Sequence, residues 1–348
     1  MNLYHPPGLN MAVISLRGWH PAIARAEAEA MFGQASITRG DSRRLLIAEG
    51  DCDWEKAEIM SGTECVLIDG GICDWTSLDD LLSQIKVEKT ENMAVVCWRH
   101  EGKIPIGTKE IERAVGGKFH RENSTFNLQN PSKRFGVVLD ASAGLVAWGW
   151  MVGQGPGKHG WSSMRANNRP FFRPVSLEPR LARAAVNIAA GTNQGLVVDP
   201  MCGTGGILIE SGWTKRKTLG VDFDPEMVIG TKANLEWAGV EAVVERGDST
   251  RYEFPADICA VVVDPPYGRN SQPSESKLLV KTLENLRVRC GDFKLVLIIP
   301  CSPELANLDE EIKPELELFG FEIIAAFGIP VHKSLARKMI IATTLPLD

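Results

Sequence analysis

The chain has 348 residues, 44% apolar and 24% charged, with 33 Gly, 20 Pro and a formal net charge of -6 at pH 7. At roughly 150 residues per domain the length suits two domains, and the balance excludes a disordered or collagenous chain and a uniformly basic nucleic-acid coat. The longest apolar stretch, Ala143 to Gly153, contains three glycines and falls far short of the roughly 18 to 20 residues that cross a bilayer, so no membrane partner is expected.

Met1 to Gly18 carries no basic segment leading into an apolar one, which predicts a cytoplasmic protein rather than a secreted one. The eight cysteines lie far apart without a Cys-x-x-Cys pair, so free buried thiols are expected, and no metal site. In chain order, Met11 to Leu16 reads as a strand, Pro21 to Phe32 as a helix with Pro near its start, and Arg43 to Ala48 as a strand. Cys65 to Asp69 follows as a strand, Ser77 to Lys86 as a helix, Met93 to Trp98 as a strand and Lys109 to Val115 as a helix. A hairpin is predicted between Phe135–Leu139 and Leu145–Met151 across the turn at 140–144. This is α+β texture. The Gly-, Pro-, Asn- and Arg-rich stretch after it breaks all periodicity. The expected organisation is an α+β domain over 1–152, a linker over 153–178 and a second domain over 179–348.

The second domain alternates strictly. Helix Arg180 to Ala190 precedes strand Leu196 to Val198, helix Gly206 to Trp213, strand Thr218 to Val221, helix Pro225 to Ala238 and strand Ala242 to Glu245. Then come strand Ile258 to Val263, helix Ser276 to Arg289, strand Lys294 to Ile299, helix Glu304 to Phe319, and strands Glu322 to Phe327 and Lys338 to Thr343. Continuous Val/Ile/Leu runs separated by helices predict an α/β, Rossmann-like, doubly wound parallel sheet of seven strands covered on both faces. Such sheets bind ligands outside the carboxyl ends of their strands, which directs attention to the loops after Val198, Val221 and Val263.

The first loop is Asp199-Pro200-Met-Cys-Gly203-Thr-Gly205-Gly, followed by a helix. Its glycines permit a tight turn and close approach of a ligand; a purely structural turn is the bland alternative. A carboxylate at the loop mouth repels a pyrophosphate and attracts an ammonium or sulfonium. S-adenosylmethionine (SAM) carries both cations and no phosphate. The second strand ends in Asp222, which could accept two hydrogen bonds from a ribose diol, as in nicotinamide and SAM sites alike. The third leads into Gly247-Asp248-Ser249, whose carboxylate could accept from an adenine amine. Three acidic strand tips in succession favour an adenosine ligand.

The fourth strand ends in Asp264-Pro265-Pro266-Tyr267-Gly. Two prolines cannot donate to a ladder, so the strand must stop and the loop is stiffened. Such a corner suits an exocyclic amine of a nucleobase, a poor nucleophile whose lone pair is delocalised into the ring. Asp264 and the Pro265 carbonyl would hold its hydrogens and aim its lone pair at a methyl group, and Asp264 could collect the released proton. Tyr267 offers a stacking face for an extracted base, worth about 1–3 kcal/mol, against the few kcal/mol that unstacking costs. A rigid turn with a packing Tyr would leave the upstream cofactor loop unexplained.

Asp199-Pro-Met-Cys-Gly-Thr-Gly followed by Asp264-Pro-Pro-Tyr-Gly resembles the SAM-dependent amino-methyltransferases. Within them the chain is similar to the archaeal and eukaryotic tRNA guanine-N2 methyltransferases that act at position 10. Arg169-Pro-Phe-Phe-Arg-Pro-Val-Ser-Leu-Glu-Pro-Arg-Leu-Ala-Arg-Ala-Ala-Val-Asn187 resembles the segment leading into their catalytic domain, and Val331-His-Lys-Ser-Leu-Ala-Arg337 resembles their last hairpin. Arg99 to Met151, with Ile106-Gly107 and Asn130-Pro131, resembles the second half of a THUMP domain, an RNA-binding module. The resemblance implies a SAM cofactor held by Asp199, Pro200, Gly203, Gly205, Asp222, Asp248 and Ser249, and a catalytic loop of Asp264, Pro265, Pro266 and Tyr267. It implies tRNA as partner and, from the eukaryotic relatives, a small activator subunit. Asp rather than Asn in the first catalytic position favours guanine; an N6-adenine or other amino-methyltransferase acting on DNA or rRNA shares the same motifs.

Local charge fits an RNA partner. Arg99 to Arg134 holds eight Lys/Arg against four Asp/Glu, and Lys158 to Arg183 six against one. Lys103, Lys109, Arg113, Lys118, Arg121, Lys133 and Arg134 are the candidate phosphate contacts in the first domain. Arg165, Arg169 and Arg173 join them along the linker, with Lys333 and Arg337 in the last hairpin.

Overall fold

The computed structural model describes residues 11–345 apart from 34, 40–41, 158–159, 175, 266–272, 302–311 and 333–334. The chain divides into two compact units, Met1–His159 and Gly160–Asp348.

Unit 1 contains β1 (Met11–Leu16), α1 (Pro21–Met31), β2 (Ser36–Arg39), β3 (Leu45–Glu49), β4 (Thr63–Asp74), α2 (Leu78–Gln84), β5 (Met93–Arg99), α3 (Thr108–Arg121), β6 (Lys133–Asp140) and β7 (Leu145–Val152). Its strands form one sheet in the order β2-β3-β1-β4-β7-β6-β5. All pairs are antiparallel except β5 with β6. One face carries the helices: Ala24, Ala28 and Met31 of α1 pack on Ile14 and Val66, and Ile111, Val115 and Phe119 of α3 pack on Phe135 and Val137. In a flat sheet, β1 and β5 would lie about 19 Å apart, four strand spacings. Yet Ser15 of β1 approaches within 3.0 Å of His100, next after β5. The sheet therefore curls, and its concave face buries Val13, Ile47, Leu67, Trp98 and Val138 together. A bulge in β4 between Ile68 and Gly71 accompanies the bend. At Gly70 a Cβ would lie 1.7 Å from the Trp148 carbonyl, so no other residue fits there.

Unit 2 contains α4 (Pro179–Ala190), β8 (Leu196–Asp199), α5 (Gly206–Trp213), β9 (Thr218–Asp222), α6 (Pro225–Ala238), β10 (Val243–Arg246), β11 (Ile258–Val263), α7 (Pro273–Arg289), β12 (Lys294–Cys301), α8 (Lys313–Leu318), β13 (Phe321–His332) and β14 (Leu335–Thr344). The sheet order is β10-β9-β8-β11-β12-β14-β13. The pairs from β10 through β12 are parallel, and β14 runs against both its neighbours. This is the doubly wound α/β sheet expected, and its order reverses between β8 and β11. Leu279, Leu283 and Leu286 of α7 pack on Val261, Val263, Leu295 and Leu297. Leu208 and Ile209 of α5 cluster with Val228 and Leu235 of α6. Helix α6 starts at Pro225 with Asp224 accepting from the Glu226 amide, and ends at Gly239 in the left-handed region; both are ordinary punctuation for a helix. Among the described residues no helix is long and apolar enough to cross a membrane.

The expected linker spans the division between the units. Its later part is packed into unit 2: buried Asn234 of α6 accepts from the Phe171 amide at 2.9 Å and donates to the Phe171 carbonyl at 2.8 Å. The same side-chain amide donates to the Thr204 carbonyl at 2.9 Å, joining this segment to the loop after β8.

Candidate active site

The carboxyl ends of β8, β9 and β11 open on a cavity of about 660 Å3. The loop after β8 turns through Gly203 and Gly205, whose φ values are +50° and +77°, a conformation that favours glycine. At Gly205 a Cβ would also meet the Thr231 methyl at 2.6 Å. The loop is fastened at every step. Asp199 Oδ1 accepts from the Met201 amide at 3.1 Å, Asp222 Oδ2 from the Gly203 amide at 2.8 Å, and the Gly203 carbonyl from the Thr231 hydroxyl at 2.5 Å. The Ser249 hydroxyl donates to the Pro200 carbonyl.

Asp199, Asp222 and Asp264 all line the cavity. Asp199 is 2% exposed, and burial pushes its carboxyl well above the usual aspartate range, with Asp222 and Asp264 pushing the same way. Among the described residues no basic group offsets that burial, and a buried carboxylate calls for one. Asp222 accepts from the Gly203 and Asp224 amides, one on each oxygen; a carboxylate oxygen has a second lone pair, enough for a diol. Asp248 is held differently from the simple acceptor expected: hydrogen bonds from Thr250 pull its carboxyl below the ordinary range, and Arg251 lies 3.1 Å from its other oxygen.

Asp264 and Pro265 also line the cavity; Pro266 and Tyr267 lie outside the described residues. Burial raises the Asp264 carboxyl above its ordinary range, and the neighbouring Arg337 guanidinium opposes that rise. Arg337 Nη1 donates to Asp264 Oδ2 at 2.8 Å. Arg337, expected among the RNA contacts, is thus bonded to the acidic corner. Phe223, 68% exposed at the cavity, went unseen in the sequence, as did Ser176 and Leu177, which also line it. The available signal for Phe223 was a large apolar residue just past a strand-tip acid.

In unit 1, Lys103, Lys109, Arg113, Arg121, Lys133 and Arg134 are exposed. Lys109 pairs with Glu112 at 2.6 Å and Lys133 lies 5.9 Å from the Trp150 ring centre. Lys118 instead donates to the Leu82 and Ile85 carbonyls at the end of α2, so its ammonium closes a helix. In unit 2, Arg165 is exposed. Arg169 is a correction: it is 5% exposed and donates to the Met164 carbonyl, because its guanidinium is folded into the base of the segment near Glu210. Arg173 lies over the Phe171 ring at 4.5 Å and pairs with Glu226. Lys333 lies outside the described residues. None of the eight cysteines is bridged, and among the described residues no group of three His, Cys, Asp or Glu side chains is placed to hold a metal.

Comparison with known proteins bears on this cavity. Residues 166–313 match a family model described as an RMKL-like methyltransferase domain; the match begins inside the expected linker, in accord with the packing of Phe171. A tRNA (guanine(10)-N2)-dimethyltransferase of Pyrococcus abyssi is 34% identical over 235 residues, covering 66% of this chain and 67% of the relative. Another of that description, from Methanothermobacter thermautotrophicus, is 32% identical over 267 residues, covering 75% and 76%. A U6 snRNA (guanine-N(2))-methyltransferase of Homo sapiens is 29% identical over 207 residues, covering 52% of this chain and 41% of the relative.

Proposed function

The chain belongs to the family of the tRNA (guanine(10)-N2)-dimethyltransferases, and we propose that it transfers a methyl group from SAM to the exocyclic N2 amine of a guanine in tRNA, at position 10. The observation that carries this reading is the convergence, in one cavity, of a buried carboxyl with no offsetting cation among the described residues, a strand-tip acid suited to a diol, and the Asp264-Pro265 corner. SAM supplies a methyl group activated by a sulfonium. The residues fit it: Asp199 gains the positive charge that its burial demands, and Asp222 keeps lone pairs for a ribose diol. Three carboxylates about one cavity would repel the phosphates of a nicotinamide cofactor.

At the acceptor end, Asp264 and the Pro265 carbonyl would take hydrogen bonds from the target amine, which directs its lone pair along the methyl-transfer line. The proton lost from nitrogen after transfer passes to the Asp264 carboxylate. A carboxylate accepts and cannot donate. The guanine edge beside N2 presents N1–H and the amine together, two donors, whereas adenine pairs its amine with an acceptor nitrogen; Asp264 suits guanine. Tyr267 is the proposed stacking face for the everted base. The exposed cations of unit 1, with Arg113, Arg121 and Arg134 foremost, support a THUMP-like role in tRNA capture. Unbridged cysteines accord with a cytoplasmic setting. Exposed Ile229 and Trp237 on α6 and Val243 on edge strand β10 support an activator subunit covering that side; full methyl-transfer rate by the chain alone would argue against it.

The test is incubation of unmodified tRNA transcripts, rRNA and DNA with methyl-labelled SAM, followed by nucleoside mass spectrometry. N2-methylated guanosine in tRNA is expected. N6-methyladenine, or label in DNA or rRNA but not tRNA, would select the adenine or DNA/rRNA reading instead.

A further inference from the structure

We propose that Arg337 is a positioning residue for methyl transfer, fixing the plane of the Asp264 carboxylate and keeping it a pure hydrogen-bond acceptor. The inference rests on the guanine-N2 reading above and adds to it a residue outside the cofactor and catalytic loops. Arg337 lies on β14, the reversed strand, paired in register with Pro300 of β12 and Ile329 of β13. Two ladders thus hold its backbone, and its side chain meets the end of β11 from across the sheet. The bond to Asp264 Oδ2 is 2.8 Å long, and the two side chains are only 17% and 18% exposed. A surface cation waiting for phosphate would be neither so enclosed nor so engaged.

The surroundings require such a partner. Asp199 from the end of β8, Asp222 and Asp224 at the end of β9 and Asp248 beyond β10 line the same cavity, with Arg173 a second cation there among the described residues. Burial favours a neutral Asp264. A protonated Asp264 would direct an O–H at a base edge made of N–H donors, and donor would face donor. The guanidinium opposes that protonation, and its bond to Oδ2 restrains how the carboxylate can rotate. Because Arg337 and Asp264 lie 73 positions apart, no local motif reveals the pairing.

The test compares wild type with Arg337→Met, which removes the charge, and Arg337→Lys, which keeps it. Carboxyl 13C NMR of the ligand-free protein, with Asp264→Asn identifying the resonance, follows Asp264 directly. In Arg337→Met its midpoint is expected to rise by about one pH unit or more, the ordinary effect of losing an adjacent opposite charge. The acid limb of kcat for tRNA methylation rises with it, SAM affinity is retained, and Arg337→Lys restores part of both shifts. A midpoint and acid limb that stay in place while KM for tRNA rises would overturn the proposal and make Arg337 an RNA contact. Should Arg337→Met fail to fold, Arg337→Lys carries the test: its longer ion pair gives a smaller shift of the same sign, and no shift in either readout rejects the role. Absence of N2-methylguanosine with wild type would defeat the functional reading instead, and the NMR titration would still judge the ion pair.

Discussion

Two buried carboxylates, one in each unit, have opposite surroundings. Glu64 on β4 is 9% exposed, yet it accepts from the Ser15 hydroxyl at 2.9 Å and the Trp98 indole at 2.8 Å, with Arg44 at 3.6 Å. Asp199 on β8 is more deeply buried, and the bond it receives from within its loop is a backbone amide, with two further acids nearby. The first is compensated within its own unit and needs nothing more; it welds β1, β4 and β5 across a curled sheet. For the second, no cation among the described residues offsets the burial, which is what the proposed cofactor would supply. Burial alone therefore does not identify a site, and uncompensated burial does.

The contrast can be broken by substitution. The largest expected effect on folding is from Glu64→Leu, which strips Arg44 of a buried partner and leaves the Trp98 indole donor unpaired: a loss of about 3–5 kcal/mol in denaturant unfolding, as for other broken buried pairs, with SAM affinity intact wherever the protein stays folded. A parallel fall in SAM affinity would mean that the two units are not separable in this respect. Next comes Asp264→Asn, which should bind SAM normally and lose activity by at least about a hundredfold, the lower range for removing a group that handles the proton. Undiminished turnover would reject the acceptor role.

The smallest effect on stability, and the sharpest on the contrast, comes from Asp199→Asn. The folded-state pKa of Asp199 is raised above its unfolded value, so its contribution to ligand-free stability is present below the unfolded value and is lost as pH rises through the folded one. The amide carries no charge to bury. The ligand-free variant should gain on the order of 1 kcal/mol near neutral pH while binding SAM far more weakly. In wild type, SAM affinity should fall on acidification through a range above the ordinary aspartate value of about 3.9, because protonated Asp199 no longer attracts the cation. A variant that loses stability, or an affinity flat across that range, would remove Asp199 from the cofactor's charge balance.

The readability of the sequence follows the same division. Helix Pro225 to Ala238 and strand Ile258 to Val263 have their predicted bounds, because Pro, Gly and the Asp-Pro-Pro corner punctuate them locally. For β4 the sequence predicts a strand ending at Asp69; the strand continues to Asp74 through a bulge seated against Trp148, a partner far along the chain. Strand β2 is a four-residue edge strand, too short for periodicity to register. The stretch around Arg169 and Phe171 has linker composition, and only the fold reveals that Asn234 holds it. The acids of the site stood in plain view as strand tips. Their compensation or lack of it, and the pairing of Arg337 with Asp264, depend on burial and on contacts between distant strands.

The central claim is that one acidic cavity receives a sulfonium cofactor beside the Asp264 corner. A crystal structure with S-adenosylhomocysteine, the demethylated product of SAM, tests it directly. The ligand should lie at the ends of β8, β9 and β11, its ribose on Asp222, its amino group toward Asp199 and its sulfur facing Asp264 and Pro265. Density for it at another surface, or an empty cavity at saturating ligand, would contradict the account.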